Sequence, residues 1–141
     1  MTTIKLNFTI PVTLYSTNKH KQVKNITQKH IAAINNNIKY NGKLNSQNNI
    51  ISSTYGIITL ISTSINGIND ILTFSIIAKT ENIICELSTE AAEDIIWAIL
   101  PASYSNDDSY TFRFSIDCLF NIENYVLNIL EVPTNITIQK Y

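Results

Sequence analysis

The stretch TTIKLNFTIPVTL, residues 2–14, decides how the rest of the chain must fold. Ile4, Leu6, Phe8, Ile10, Val12 and Leu14 take every second position, and Thr3, Lys5, Asn7, Thr9, Pro11 and Thr13 fill the gaps. Successive side chains of a strand point to opposite faces, so this alternation predicts a ribbon oily on one side and wet on the other. A sheet with one wet face has to bury the other against a second layer, which the remaining residues must supply. Pro11 has no N–H to offer a neighbouring strand, so it predicts a sheet edge or a bulge splitting the ribbon in two.

A second ribbon of the same kind lies near the other end. Tyr110, Phe112, Phe114, Ile116, Cys118 and Phe120 alternate with Thr111, Arg113, Ser115 and Asp117. A turn over residues 121–124, a hairpin partner over 125–132 and a short terminal strand over 134–138 follow. Between the ribbons, residues 57–65 and 71–79 are β-rich and joined by Asn66-Gly67-Ile68-Asn69-Asp70, a hairpin signal. Both runs carry apolar residues on two faces, Ile57 and Ile61 against Ile58 and Leu60 in the first. That places them inside a sheet or between layers. Residues 83–87 read as one more short strand.

Two stretches change period. Over residues 21–39, Val23, Ile26, His30, Ile31, Ile34 and Ile38 share one side of a helix, with Lys21, Lys24, Gln28, Asn36 and Lys39 opposite. The second helix has Ser88 as N-cap, Glu90, Glu93 and Asp94 where the dipole favours anions, and a stop at Pro101. Residues 95–100 of that helix are apolar all round, so either this chain covers both sides or a partner does. Residues 40–49 are polar and read as a loop. The expected class is α+β: mainly antiparallel sheet of about six to seven strands with two helices, in the order β-α-β-β-β-α-β-β with a last short strand.

The 141 residues suit one domain spanning residues 1–141. Charged residues make up 15% against a usual ~25%. Asn, Thr and Ser replace them, and Arg113 is the sole arginine. Abundant Ile and Asn with scarce Gly, Pro and Arg point to A/T-rich coding DNA, such as that of a virus or phage. Residues 1–69 hold seven lysines and no acid, whereas residues 70–141 hold three cations against eleven acids. This split between halves is the least ordinary feature of the chain. Residues 1–14 do not read as a secretory leader, and no apolar run is long enough to cross a bilayer, so the expected location is intracellular or within a virion. Two cysteines make no disulfide framework.

Candidates for chemistry are few. His30 sits on an apolar helix face and could serve as general base or metal ligand, but no partner motif accompanies it, and a hydrogen-bonded structural histidine is the stronger reading. Cys85 and Cys118 alternate with apolar residues and read as buried thiols that react slowly. Glu90, Glu93 and Asp94 read as dipole complements, and Asp107-Asp108 as a solvated pair without a calcium-loop pattern. No catalytic, metal or cofactor site is expected. The lysine face of the first helix, with one arginine and a pI near 6.1, makes nucleic acid the least favoured partner.

The chain therefore reads as a non-enzymatic structural or assembly subunit that self-associates or docks in a larger complex. Its partners would be its own copies or other subunits, basic patch to acidic patch. The expected contact residues are Trp97, Ile96 and Leu100 at the apolar helix end, and Lys21, Lys24 and Lys39 on the basic side. The alternative is a small binding or inhibitory module acting on a host protein through residues 40–49 or the first helix.

Overall fold

The computed structural model describes residues 2–39, 43–44, 51, 54–82, 84–100, 103–104 and 110–141. The opening ribbon is a single strand, β1 (Thr2–Ser16). After it come β2 (Lys21–Gln22), α1 (Gln28–Asn36), β3 (Lys43–Leu44), β4 (Ile58–Ile68), β5 (Ile71–Thr80), α2 (Thr89–Ile99), β6 (Ser103–Tyr104), β7 (Tyr110–Cys118), β8 (Asn121–Ile129) and β9 (Thr134–Lys140). Neighbours run β3-β4-β5-β1-β8-β7-β6, with β2 and β9 also paired to β1, and the pairings are antiparallel. This is the α+β antiparallel architecture the alternation predicts.

Pro11 neither marks an edge nor breaks the strand. It falls where β1 exchanges neighbours. Residues 2–11 pair with β5 and residues 4–9 with β9, whereas residues 12–16 pair with β8. At the exchange the Val12 N–H donates to the Asp70 carbonyl (2.9 Å) and the Leu130 N–H to the Pro11 carbonyl (3.1 Å). A residue without an N–H is tolerated there because no regular ladder needs that donor.

The buried face of β1 is continuous through the exchange. Ile4, Leu6, Phe8, Ile10, Val12 and Leu14 are each at most 1% exposed. Leu72, Phe74, Ile76 and Ala78 of β5 join them, with Phe8 and Phe74 stacked at 5.3 Å. The second ribbon contributes Phe112 and Phe114, themselves stacked at 5.6 Å. Strands β4 and β5 lie inside the sheet, one of the two places their two-faced pattern allowed, and on the other side Ile57 and Ile61 are each 44% exposed.

The β4–β5 hairpin turns on Asn69 and Asp70, whose φ of 52° and 62° are those of a two-residue type I′ turn. Gly67 lies in the strand instead, and the reason is α1. A Cβ at Gly67 would meet Ile31 Cδ1 at 2.7 Å, so glycine lets the helix approach. Asn35 then closes the β4 edge: its amide donates to the Ile65 carbonyl and its carbonyl accepts the Ile65 N–H, both at 3.0 Å.

Helix α1 is much shorter than residues 21–39. Lys21 and Gln22 pair with Ser16 and Tyr15, and the Val23 N–H donates to the Leu14 carbonyl at 2.7 Å. The first helical turn closes only at the Thr27 carbonyl, which accepts the Ile31 N–H at 3.1 Å. Val23 and Ile26 pack against the core from non-helical chain rather than from a helix face. Residues 84–88 form no strand, Ile83 lies outside the described residues, and β3 takes the place beside residues 58–59 of β4. The second helix is close to its expected bounds. Ser88 Oγ accepts the Ala91 N–H at 3.1 Å, and Ala91, Ala92, Ile95, Ile96 and Ile99 are buried.

Candidate functional site

Strand β8 carries a lysine-walled cleft at one end and a groove lined by aromatic, aliphatic and acidic residues at the other. The cleft, about 520 Å³, is walled by Lys19, Lys21, Lys24 and Lys29 over a floor that includes His30 and Tyr125. Local folding explains the crowding. The turn after β1 returns as β2, which delivers Lys21, and a bend at residues 24–25 delivers Lys24 before Thr27 starts α1.

His30 is buried and held as a structural residue. Its Nδ1 accepts the Thr27 N–H at 3.0 Å, as a glutamate or glutamine does in a capping box. Its ring meets the Tyr125 ring edge-on at 4.9 Å. Burial, helped by the Lys29 charge, holds the imidazole below its ordinary pKa, with Glu123 opposing. A neutral ring whose Nδ1 lone pair is engaged fits a helix cap rather than a general base working through that nitrogen. The hydrogen bond expected of a structural histidine is made to a backbone N–H.

Beside it, the Lys29 ammonium lies 3.5 Å from Glu123 and donates to Cys118 Sγ at 3.5 Å. The thiol and then the carboxylate keep Lys29 protonated above its usual range. Tyr125 donates to the Glu123 carboxylate. Burial, reinforced by that bond, pushes the phenol up to about 12, and the same bond draws Glu123 below the usual carboxylate range. Among the described residues, no three His, Cys, Asp or Glu side chains gather as metal ligands do. No helix of the described residues is long and apolar enough to cross a membrane.

The groove at the far end of β8, about 240 Å³, is lined by Trp97, Tyr110, Leu130 and Val132, with Glu93 and Glu131 among its walls. Trp97 stacks on Tyr110 at 4.5 Å. Burial, then the charges of Asp94 and Glu90, raise the Glu93 pKa; burial and Glu90 raise that of Asp94. Glu90 stands in the first turn of α2, where the dipole favours an anion, while burial and like charge work against Glu93 and Asp94.

The residues expected at a contact divide accordingly. Lys21 and Lys24 stand together at the cleft, and Trp97 at the groove. Ile96 and Leu100 are 2% exposed and belong to the core, Ile96 reaching only the floor of the groove. Lys39 does not line the cleft: its N–H donates to the Ile99 carbonyl at 2.7 Å, beside the end of α2. Cys85 is exposed and Cys118 only half-buried, so the burial expected of both thiols is not found. Most of residues 40–49 and the pair Asp107-Asp108 lie outside the described residues.

Sequence reading missed the apex of the β7–β8 hairpin. Phe120 looked like the last inward residue of its ribbon, yet the turn falls on Leu119 and Phe120, which are 90% and 94% exposed. Residues 121–124, the expected turn, are part of β8 because neighbouring chain holds them there. Asn18 accepts the Asn124 N–H at 2.6 Å and donates to the Ile122 carbonyl at 3.2 Å, and Ser115 donates to Asn124 Oδ1 at 2.6 Å. The available sequence signal was two bulky apolar residues, Leu119-Phe120, side by side where strict alternation ended. Compared with protein-family models, curated proteins and solved structures, the chain finds no match.

Proposed function

We propose that this chain is a non-enzymatic assembly subunit whose copies join end to end, lysine cleft to acidic groove. One observation carries the reading: four of the first half's seven lysines and two of the second half's eleven acids stand at opposite ends of β8. Lys19, Lys21, Lys24 and Lys29 gather at the Glu123–Tyr125 end of β8, and Glu93 and Glu131 at the Ile129 end. Six residues of strand separate Glu123 from Ile129, roughly 20 Å at ~3.4 Å per residue. That exceeds the ~8–10 Å over which exposed charges feel one another in physiological salt, so the two ends act as separate poles.

Poles on different parts of one surface suit a heterologous contact, which closes into rings or extends into filaments. The engaged histidine cap and the protonated Tyr125 favour a binding surface over an acid–base site. Sedimentation velocity from micromolar to high micromolar concentration, in low and high salt, tests the reading. The expected result is a weight-average mass that rises with concentration in low salt and falls toward the monomer in high salt. A monomer mass under every condition overturns it.

A further inference from the structure

We infer that the β7–β8 hairpin tip, Leu119 and Phe120, is the knob that enters the Trp97 groove of a second copy. This rests on the end-to-end reading above and names the contact that would make it. The tip is the most exposed apolar feature among the described residues, with Leu119 at 90%, Phe120 at 94% and Ile122 beside them at 55%. Scattered exposed apolar residues need no explanation, but bulky ones massed at one projecting apex do. The stem beneath them is fixed. Thr17 donates from its N–H (3.0 Å) and its hydroxyl (3.1 Å) to the Asn124 carbonyl, and Asn18 bonds on both sides of Glu123. A knob held in place loses little freedom on docking, which favours tight association per unit area.

The groove is shaped for such a knob. Its volume of about 240 Å³ falls below the ~300–1,000 Å³ of clefts that take drug-sized molecules. Leu130 and Val132, 55% and 48% exposed, form apolar walls beside the Trp97–Tyr110 stack. Large aromatic side chains in well-packed pockets dominate the energetics of protein contacts.

Charge selects a second copy as the occupant. Cys118, the residue before the tip, touches Lys29, so a docked tip brings the lysine cluster with it. Around the groove stand Glu93 and Glu131, with Asp94 and Glu90 next to Glu93. Asp117 and Glu123 near the tip offset part of the four lysines and leave that end cationic. The raised pKa of Glu93 is what a carboxylate shows when it lacks a cation to compensate its burial. Tip and groove are different surfaces at opposite ends of β8, so the contact is head to tail and each pair keeps one free knob and one free groove for further copies.

Two surface variants and their mixture test the pairing. The tip variant carries Leu119→Asp and Phe120→Asp; the groove variant carries Leu130→Asp and Val132→Asp. All four positions are about half exposed or more, and thermal melts should show both variants folded. Each alone should be monomeric, with association weakened at least tenfold relative to wild type. Mixed in equal amounts they should form a 1:1 dimer and nothing larger, because the tip variant retains an intact groove and the groove variant an intact tip. If wild type assembles and both variants assemble equally well, or their mixture stays monomeric, the knob-in-groove contact is wrong while end-to-end assembly stands. Wild type that never assembles defeats both. Should it instead float with phosphatidylserine-containing vesicles, and the tip variant fail to, the tip is assigned to a lipid surface and this inference is overturned.

Discussion

Replacing Phe8 by Ala and, separately, Phe120 by Ala should give opposite results, although each phenylalanine belongs to an alternating apolar run. Phe8 is 0% exposed and stacked on Phe74 at 5.3 Å in the strand that both halves of the sheet share. Truncating it removes a buried ring and leaves a cavity, a change that typically costs ~3–5 kcal/mol. Lost stacking is included in that range and amounts to ~0.5–1.5 kcal/mol of it. With a urea m-value of about 2 kcal/mol/M, the midpoint should drop by about 1.5–2.5 M at unchanged m. Phe120 is 94% exposed, so its truncation should move stability by no more than ~0.5 kcal/mol, or about 0.25 M. Equilibrium urea unfolding, followed by circular dichroism at a concentration where the protein is monomeric, reads both shifts. Equal shifts in the two variants would refute the assignment of the hairpin apex and the core together.

Other outcomes follow from particular contacts. Because His30 is buried with Nδ1 accepting a backbone N–H, its folded pKa lies below the unfolded value of ~6.5. The unfolded chain then binds more protons, so this contribution is complete above ~6.5 and is lost as pH falls through the folded pKa. His30→Gln can keep the cap without titrating, and the difference in stability between wild type and variant should change over that window and stay flat above it. Glu93 has the opposite sign, its pKa raised by burial and by Asp94 and Glu90. Glu93→Gln should therefore raise the melting temperature of the monomer at pH 7, a gain that disappears below about pH 4. Gly67→Ala should cost ~1–3 kcal/mol because the new methyl meets Ile31 Cδ1, and the cost should largely vanish with Ile31→Val, which removes that carbon. Additive behaviour in this double-mutant cycle would mean that α1 does not approach β4 as closely as described.

Part of the candidate site was legible in advance. The basic first half drew attention to Lys21 and Lys24, which stand at the cleft, and Trp97, which lines the groove, stood out as an aromatic on an apolar helix end. Ile96 and Leu100, beside Trp97 in sequence, were not separable from it by periodicity, because an apolar run all round a helix does not say which side is covered. Lys39 parted from Lys21 and Lys24 because a long helix was assumed where β2 and non-helical chain precede a short one. A lysine's place on a helix face depends on where the helix begins, and here the Thr27–His30 cap determines that.

The sequence by itself determined which residues of β1 are inside, because a period of two leaves a pleated strand with no other way to keep water off six large apolar side chains. It also determined the antiparallel α+β class and the start of α2 at Ser88, each a consequence of local pattern or local hydrogen bonding. Only the tertiary structure decided that Pro11 marks an exchange of neighbours, that Gly67 admits a helix, and that Leu119 and Phe120 stand at an exposed apex. Those outcomes rest on contacts between residues far apart in the chain, such as Asn18 with Asn124 or Ile31 with Gly67, and no local rule of spacing encodes a distant partner.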